Sequence, residues 1–254
     1  MNKLTIGQIK ERLKDSTISP LFLQQLKEDS RSGVQKLLQQ YEKQQLILEN
    51  QLKEYQQKCY YEQKCWQLDR LVAGVDEVGR GCLAGPVVCA AVILNPQVPI
   101  IGVDDSKKLR PESRTRLAKI IKEESLAYSV ALISPSTIDQ INILEASRLA
   151  MKFAVQKLSL TPESLLVDAV KIETEIPQTD LIKGDEKSAS IGAASILAKV
   201  CRDELMDRYD EFYPEYNFKS NKGYGTREHL LALKEFGISP IHRKSFSPVR
   251  QIIA

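Results

Sequence analysis

Apolar positions fall into two regimes along the 254 residues, with the change near residue 70. Before it, Val34, Leu38, Tyr41, Gln45, Leu48, Leu52, Tyr55 and Cys59 are separated by alternating steps of four and three. That is the heptad seam of a helix packed on neighbouring helices. Upstream, Thr5 with Gln8 predicts a capping box, and Ser19-Pro20 predicts a second helix start. A self-associating coiled coil fits less well, because Gln45 and two tyrosines interrupt the seam, and a monomer is expected. From Leu71 onward, short apolar runs bounded by turn residues alternate with helical patterns. Strands are predicted over 71–76, 86–95, 126–133 and 164–168, and helices over 111–124, 136–158, 188–209 and 227–236. The second of these helices is expected to start at Ser136 or Thr137, and the C-terminal tail is expected to be irregular. An antiparallel meander followed by alternating α and β suits a mixed sheet covered by helices. The chain thus reads as a helical extension, 1–70, before a main α/β domain, 71–254.

Composition narrows the function classes. Residues 1–70 hold 13 glutamines, two glycines and one proline, and 12 basic against 9 acidic residues. Residues 71–254 carry 24 of each sign, yet 215–254 hold 7 Lys or Arg against 3 Glu. Basic segments on a near-neutral body are compatible with nucleic acid without demanding it. No apolar run approaches the ~20 residues of a membrane span. The start lacks the apolar core of a secretory signal. Five cysteines without a C-x-x-C pair fit reduced thiols, so a cytoplasmic protein is expected. Two histidines exclude a His-rich metal site.

The candidate chemistry lies in acids placed where elements end. Asp76-Glu77 closes the first strand and runs into a turn, Gly79-Arg80-Gly81. Asp168 closes the buried strand Leu165-Leu166-Val167, and Asp185 precedes a helix of small residues. Each has a plainer reading: a hairpin turn for the glycines, a turn acid for Asp168, a helix cap for Asp185. Together, several carboxylates favour a hard cation such as Mg²⁺ or Mn²⁺ over zinc. Lys107, Lys108 and Lys222 are phosphate contacts or solvated lysines, and Tyr224, between two glycines, is a stacking ring or a packed turn residue. Ser195 and Lys199, four apart, read as packing and phosphate contacts, and His229 and His242 as structural.

The string Gly74-Val75-Asp76-Glu77-Val78-Gly79-Arg80-Gly81-Cys82-Leu83-Ala84-Gly85-Pro86 closely resembles the first signature of the ribonuclease HII family, which cuts the RNA strand of RNA–DNA hybrids. Further blocks are similar in the same order: Asp105-Ser106-Lys107-Lys108-Leu109, then Lys183-Gly184-Asp185 through Lys199-Val200, Asn221-Lys222-Gly223-Tyr224-Gly225-Thr226, and His242-Arg243-Lys244-Ser245-Phe246. The resemblance covers about 71–250. It implies an RNase H-like fold and four catalytic carboxylates holding two Mg²⁺ or Mn²⁺ ions. Asp76, Glu77 and Asp168 would be the main ligands, and Asp185 would complete the second site with Asp76. It also implies that Gly79-Arg80-Gly81 reads a ribose 2′-hydroxyl and that Tyr224 stacks on the next, deoxy, sugar. RNA–DNA hybrid and ribonucleotide-containing duplex DNA would be the partners, with Lys107 and Lys222 as further substrate contacts. A junction resolvase on a similar acidic fold would instead cut all-DNA four-way junctions. A non-catalytic hybrid-binding protein would lack one of the acids.

Overall fold

The computed structural model describes residues 4–14 and 18–253. It forms two compact units that divide between Glu54 and Tyr55. The first holds α1 (Ile6–Arg12), α2 (Pro20–Lys27) and most of α3 (Ser32–Lys58). The Thr5–Gln8 capping box is present, and Ser19 caps α2 with Pro20 at its first position. Ile9, Phe22, Leu26, Val34 and Leu38 form this unit's core. Along α3, Val34 and Leu38 are buried in the first unit and Tyr55 and Cys59 in the second, whereas Gln45 and Leu48 are exposed. The 4–3 spacing therefore records two separate packing surfaces on one helix, not a continuous seam.

The second unit continues with α4 (Tyr60–Trp66), β1 (Val72–Val78), β2 (Val87–Ile93), α5 (Pro111–Glu124), β3 (Ala127–Ile133), α6 (Pro135–Gln156), β4 (Ser164–Asp168) and β5 (Gln178–Leu181). Then come α7 (Gly184–Lys187), α8 (Ala189–Phe212), a 3₁₀ turn at Pro214–Tyr216, α9 (Phe218–Asn221), α10 (Arg227–Phe236) and α11 (Ser247–Ile253). The sheet order is β3-β2-β1-β4-β5, antiparallel on the β3 side and parallel on the β5 side. Side chains alternate between faces. Ala73, Val75, Cys89, Ala91 and Val167 pack with α6, while Val88, Ala90 and Val92 pack with α5 and α8. The result is a three-layer sandwich in which β2 is buried throughout and β1 as far as Asp76. Gly74 lets α8 reach the sheet, since a Cβ there would lie 2.1 Å from the Ser190 carbonyl carbon.

Four details depart from the sequence expectation. The first strand runs on to Val78: its antiparallel ladder reaches Val78–Val88, whereas parallel pairing with β4 stops at Val75–Val167. β5 was not expected, because Gln-Thr-Asp-Leu is short, polar and largely exposed, with no alternation to detect. α6 begins one or two residues early, at Pro135 capped by Ser134, and is broken at Asn142, whose φ is 67°. The tail, expected to be irregular, closes in a helix whose Val249 is buried beside Leu83, Met206 and Phe218, with Pro248 in its first turn, where proline is tolerated.

Candidate active site

Strand alternation sorts the acids. Asp76 shares the face of Gly74 that looks at α8, and Asp168 shares the face of Leu166, which packs on Ile191 of α8. Glu77 points to the other face, where its charge reaches Cys89. Asp185 arrives from the parallel edge, where β5 leads through left-handed Lys183 (φ 57°) into α7. Gly184 is needed at that corner: its N–H donates to Asp168 Oδ1 at 2.7 Å, and a Cβ would lie 2.6 Å from Ile191 Cδ1. Asp185 does not cap α8. Ser188 does, accepting from the Ile191 N–H, and Asp185 Oδ1 accepts only from the Glu186 N–H at 3.0 Å.

The electrostatics bind these acids into one group. Burial first, then the charges of Glu77 and Asp168, push the Asp76 carboxyl well above its usual range. Hydrogen bonds from Ser195 and the Glu77 N–H oppose that rise. Burial also raises Glu77, against the Arg80 guanidinium 3.1 Å away. Asp185 is raised by burial, Asp105 and Asp168, with Lys107 opposing. The four acids are those singled out from the sequence; the contact of Ser195 with Asp76 was not expected, and its Oγ also meets Ser106 Oγ at 3.0 Å.

The lysines separate. Lys107 is exposed and its charge acts on both Glu77 and Asp185. Lys108 pairs with Glu186 at 2.9 Å and Lys199 with Asp203 at 2.7 Å. Lys222 pairs with Asp207, so its ammonium is already engaged by α8. Arg80 is committed to Glu77. Tyr224 is 40% exposed, with its hydroxyl end at Cys82.

Among the described residues, no three His, Cys, Asp or Glu side chains form a ready-made metal group. The residues nevertheless fit a hard divalent cation. The candidate donors are all carboxylate oxygens, burial raises Asp76, Glu77 and Asp185, and among the described residues Glu77 Oε2 is buried without a partner.

The two histidines form a buried relay beneath Tyr224. The Ser239 N–H donates to His242 Nδ1 at 2.9 Å, so His242 carries its proton on Nε2. Nε2 donates to His229 Nε2 at 2.9 Å, and His229 Nδ1 donates to the Tyr224 carbonyl at 2.9 Å. Burial, then His229, pushes His242 down to about 4. The unfolded chain takes up this proton near pH 6.5, so stability is full above that value and declines as pH falls toward 4. We expect a loss of about 2 kcal/mol between pH 7 and pH 5 from this residue, read from urea unfolding. His242→Leu should flatten that slope, whatever its effect at pH 7.

A mixed sheet in the order β3-β2-β1-β4-β5, with buried Asp76 and half-buried Glu77 and Asp168 at the ends of its central parallel strands, defines an RNase H-like hydrolase. The profile of the family Ribonuclease HII matches residues 73–249, and that of its N-terminal domain matches residues 5–66. The chain is 55% identical to ribonuclease HII of Lactobacillus johnsonii over 248 residues, covering 98% of this chain and 99% of that one. It is 54% identical to that of Lactobacillus gasseri, with the same coverage. Ribonuclease H2 of Pyrococcus horikoshii superposes with a TM-score of 0.63 at 28% identity, over 72% of this chain and 96% of that one. This chain belongs to the ribonuclease HII family. It is an endonuclease of ribonuclease H type, and enzymes of this family cut the RNA strand of RNA–DNA hybrids. Among the described residues, no helix is long and apolar enough to cross a membrane.

Proposed function

We propose that this ribonuclease H also incises duplex DNA on the 5′ side of a single embedded ribonucleotide, leaving 3′-hydroxyl and 5′-phosphate ends. The observation that carries this is the electrostatic coupling of Asp76, Glu77, Asp168 and Asp185 beside an open glycine turn. Asp76, Glu77 and Asp168 would hold one Mg²⁺ or Mn²⁺ ion, and Asp185 would complete a second site with Asp76. Such a pair, when bound, supplies activation of the attacking water and neutralisation of the leaving 3′ oxygen. The chain's own task is alignment. Arg80 fixes one oxygen of Glu77, leaving Oε2 open. The Gly184 N–H orients Asp168, and Ser195 steadies Asp76. Lys107, whose charge acts on Glu77 and Asp185, would meet a phosphate oxygen near the acids.

Ribose reading rests on the turn. A Cβ at Gly81 would meet nothing within 4 Å, so that side is open. Among the described residues, the Arg80 and Gly81 N–H groups make no main-chain hydrogen bond. A 2′-hydroxyl, which alone separates RNA from DNA at one nucleotide, can be met by such groups. The exposed face of Tyr224 suits a sugar lacking that hydroxyl.

The test is a DNA duplex with one ribonucleotide, incubated with Mg²⁺ and then with EDTA. A single 5′ cut that EDTA abolishes is expected. No cut with Mg²⁺ or Mn²⁺, or equal cutting of an all-DNA four-way junction, overturns the reading. In the same assay Tyr224→Ala should slow cleavage at the lone ribonucleotide more than in a long hybrid, by about 1–3 kcal/mol by analogy with base stacking. Equal losses on both substrates would remove the stacking role.

A further inference from the structure

Two arginines outside the acid cluster carry an inference that deepens, and rests on, the ribose reading above. Arg202 of α8 and Arg243 after α10 are both fully buried. A buried guanidinium is costly unless its donors are matched. Both are matched by main-chain carbonyls. Arg243 donates from Nη2 to Gly79 O at 2.7 Å, from Nη1 to Arg80 O at 2.9 Å and from Nε to Gly85 O at 3.0 Å. Arg202 donates from Nε to Pro86 O at 3.1 Å, from Nη2 to Ala84 O at 3.0 Å and from Nη1 to Lys222 O at 2.7 Å.

The pattern of acceptors is what an ordinary packing role does not explain. Arg243 takes the carbonyls of Gly79 and Arg80, the two residues whose following N–H groups are open. Arg202 bridges the far end of the same segment to Lys222, two residues before Tyr224. Between them, the Leu83 N–H donates to Gly223 O at 2.8 Å, and the Arg243 N–H donates to Leu83 O at 2.8 Å. We infer that Arg243 and Arg202 are positioning residues for sugar recognition: they clamp the carbonyl side of the Gly79-Arg80-Gly81 turn and hold its open amides in register with Tyr224. In each arginine three different nitrogens meet three different carbonyls; an ammonium carries its three donors on one atom, so lysine does not reproduce the clamp.

The experiment measures binding in EDTA, where no cleavage occurs. The dissociation constants for a DNA duplex with one ribonucleotide and for the same all-DNA duplex are compared for the wild-type chain and for Arg243→Lys, with circular dichroism confirming the fold. The wild type should favour the ribonucleotide. Arg243→Lys should lose about tenfold of that preference, the scale of one charge-assisted hydrogen bond, with all-DNA affinity unchanged. A folded Arg243→Lys with its preference intact overturns the inference and leaves the ribose reading standing. A wild type without preference overturns the ribose reading and this inference with it. Should Arg243→Lys fail to fold, Arg202→Lys is read by the same ratio with the same two outcomes. Magnetic resonance on the unaltered chain gives an independent reading. The ribonucleotide duplex should shift the Arg80 and Gly81 amide signals while the Arg243 Nε–H stays protected from exchange. A freely exchanging Arg243 Nε–H overturns the clamp.

Discussion

Asp76→Asn should abolish cleavage, by about 10³-fold or more, while binding of the duplex survives or tightens. A thousandfold loss corresponds to about 4 kcal/mol, within what positioned charge supplies to a reacting phosphate. Asp76 touches Glu77 and Asp168 through their charges and Ser195 through a hydrogen bond, so its oxygen cannot be spared. The asparagine keeps the shape and removes one negative charge from beside the substrate phosphate, which is why binding does not fall. Asp168→Asn should behave alike. Wild-type turnover by either variant would remove the acid cluster from the mechanism. Misfolding is separated from catalysis by the sign of the stability change. A carboxyl raised above its ordinary range is stabilising only while protonated, and that stability is lost as pH rises from the ordinary carboxylate range through the raised value. In EDTA at neutral pH, Asp76→Asn should therefore melt at or above the wild type, and a calorimetric scan decides it.

A chain beginning at Gln67 should fail to fold stably, whereas one beginning at Tyr55 should fold and keep activity. The difference is the end of α3 together with α4. Glu62 is fully buried and accepts from Ser188 Oγ at 2.5 Å, Ser190 Oγ at 2.6 Å and the Ser190 N–H at 2.9 Å. A carboxylate at the start of α8 also meets the positive end of that helix. Hydrogen bonds to a charged group contribute about 1.5–3 kcal/mol each, and the two serines would be left buried without this partner. Tyr55, Cys59 and Trp66 add apolar surface to the core beneath α5 and α8. The summed loss rivals the whole stability of a typical domain, about 5–15 kcal/mol. A cooperative melt near the wild-type temperature for the Gln67 chain would refute this. The Tyr55 chain should bind nucleic acid more weakly at low salt only, because the removed segment is basic.

The sequence disclosed what is periodic or terminal. Strands β1 to β4 and helices α5, α8 and α10 announce themselves by apolar runs and caps; the candidate acids Asp76, Glu77 and Asp168 lie where such runs stop, and Asp185 lies just ahead of a helix of small residues. It concealed what depends on contacts between distant residues. β5 is polar because it is an edge. Glu62 reads as one more charge on a polar helix, and nothing local marks it as the carboxylate beneath Ser188 and Ser190. Arg202 and Arg243 look like surface arginines until the carbonyls they meet, 116 to 164 positions away for five of the six, are brought to them. The change of composition near residue 70 marks where the sheet begins, whereas the packing that supports the sheet begins at Tyr55.

The glycines of the recognition turn are not equivalent, and this governs how variants there are to be interpreted. A Cβ at Gly79 would lie 2.2 Å from Arg202 Nε, and its φ of 91° already excludes most side chains. Arg202 has no room to yield, since all three of its donor nitrogens are bonded. Gly79 is thus a socket for a protein side chain, and an inactive Gly79→Ala enzyme reports a dislodged arginine. Gly81 faces empty space, so a methyl group placed there collides with nothing in the protein, and on the proposed ribose reading it would meet only the nucleotide. If the turn reads the ribose as proposed, Gly81 is the adjustable position for retuning sugar selectivity and Gly79 is the mounting.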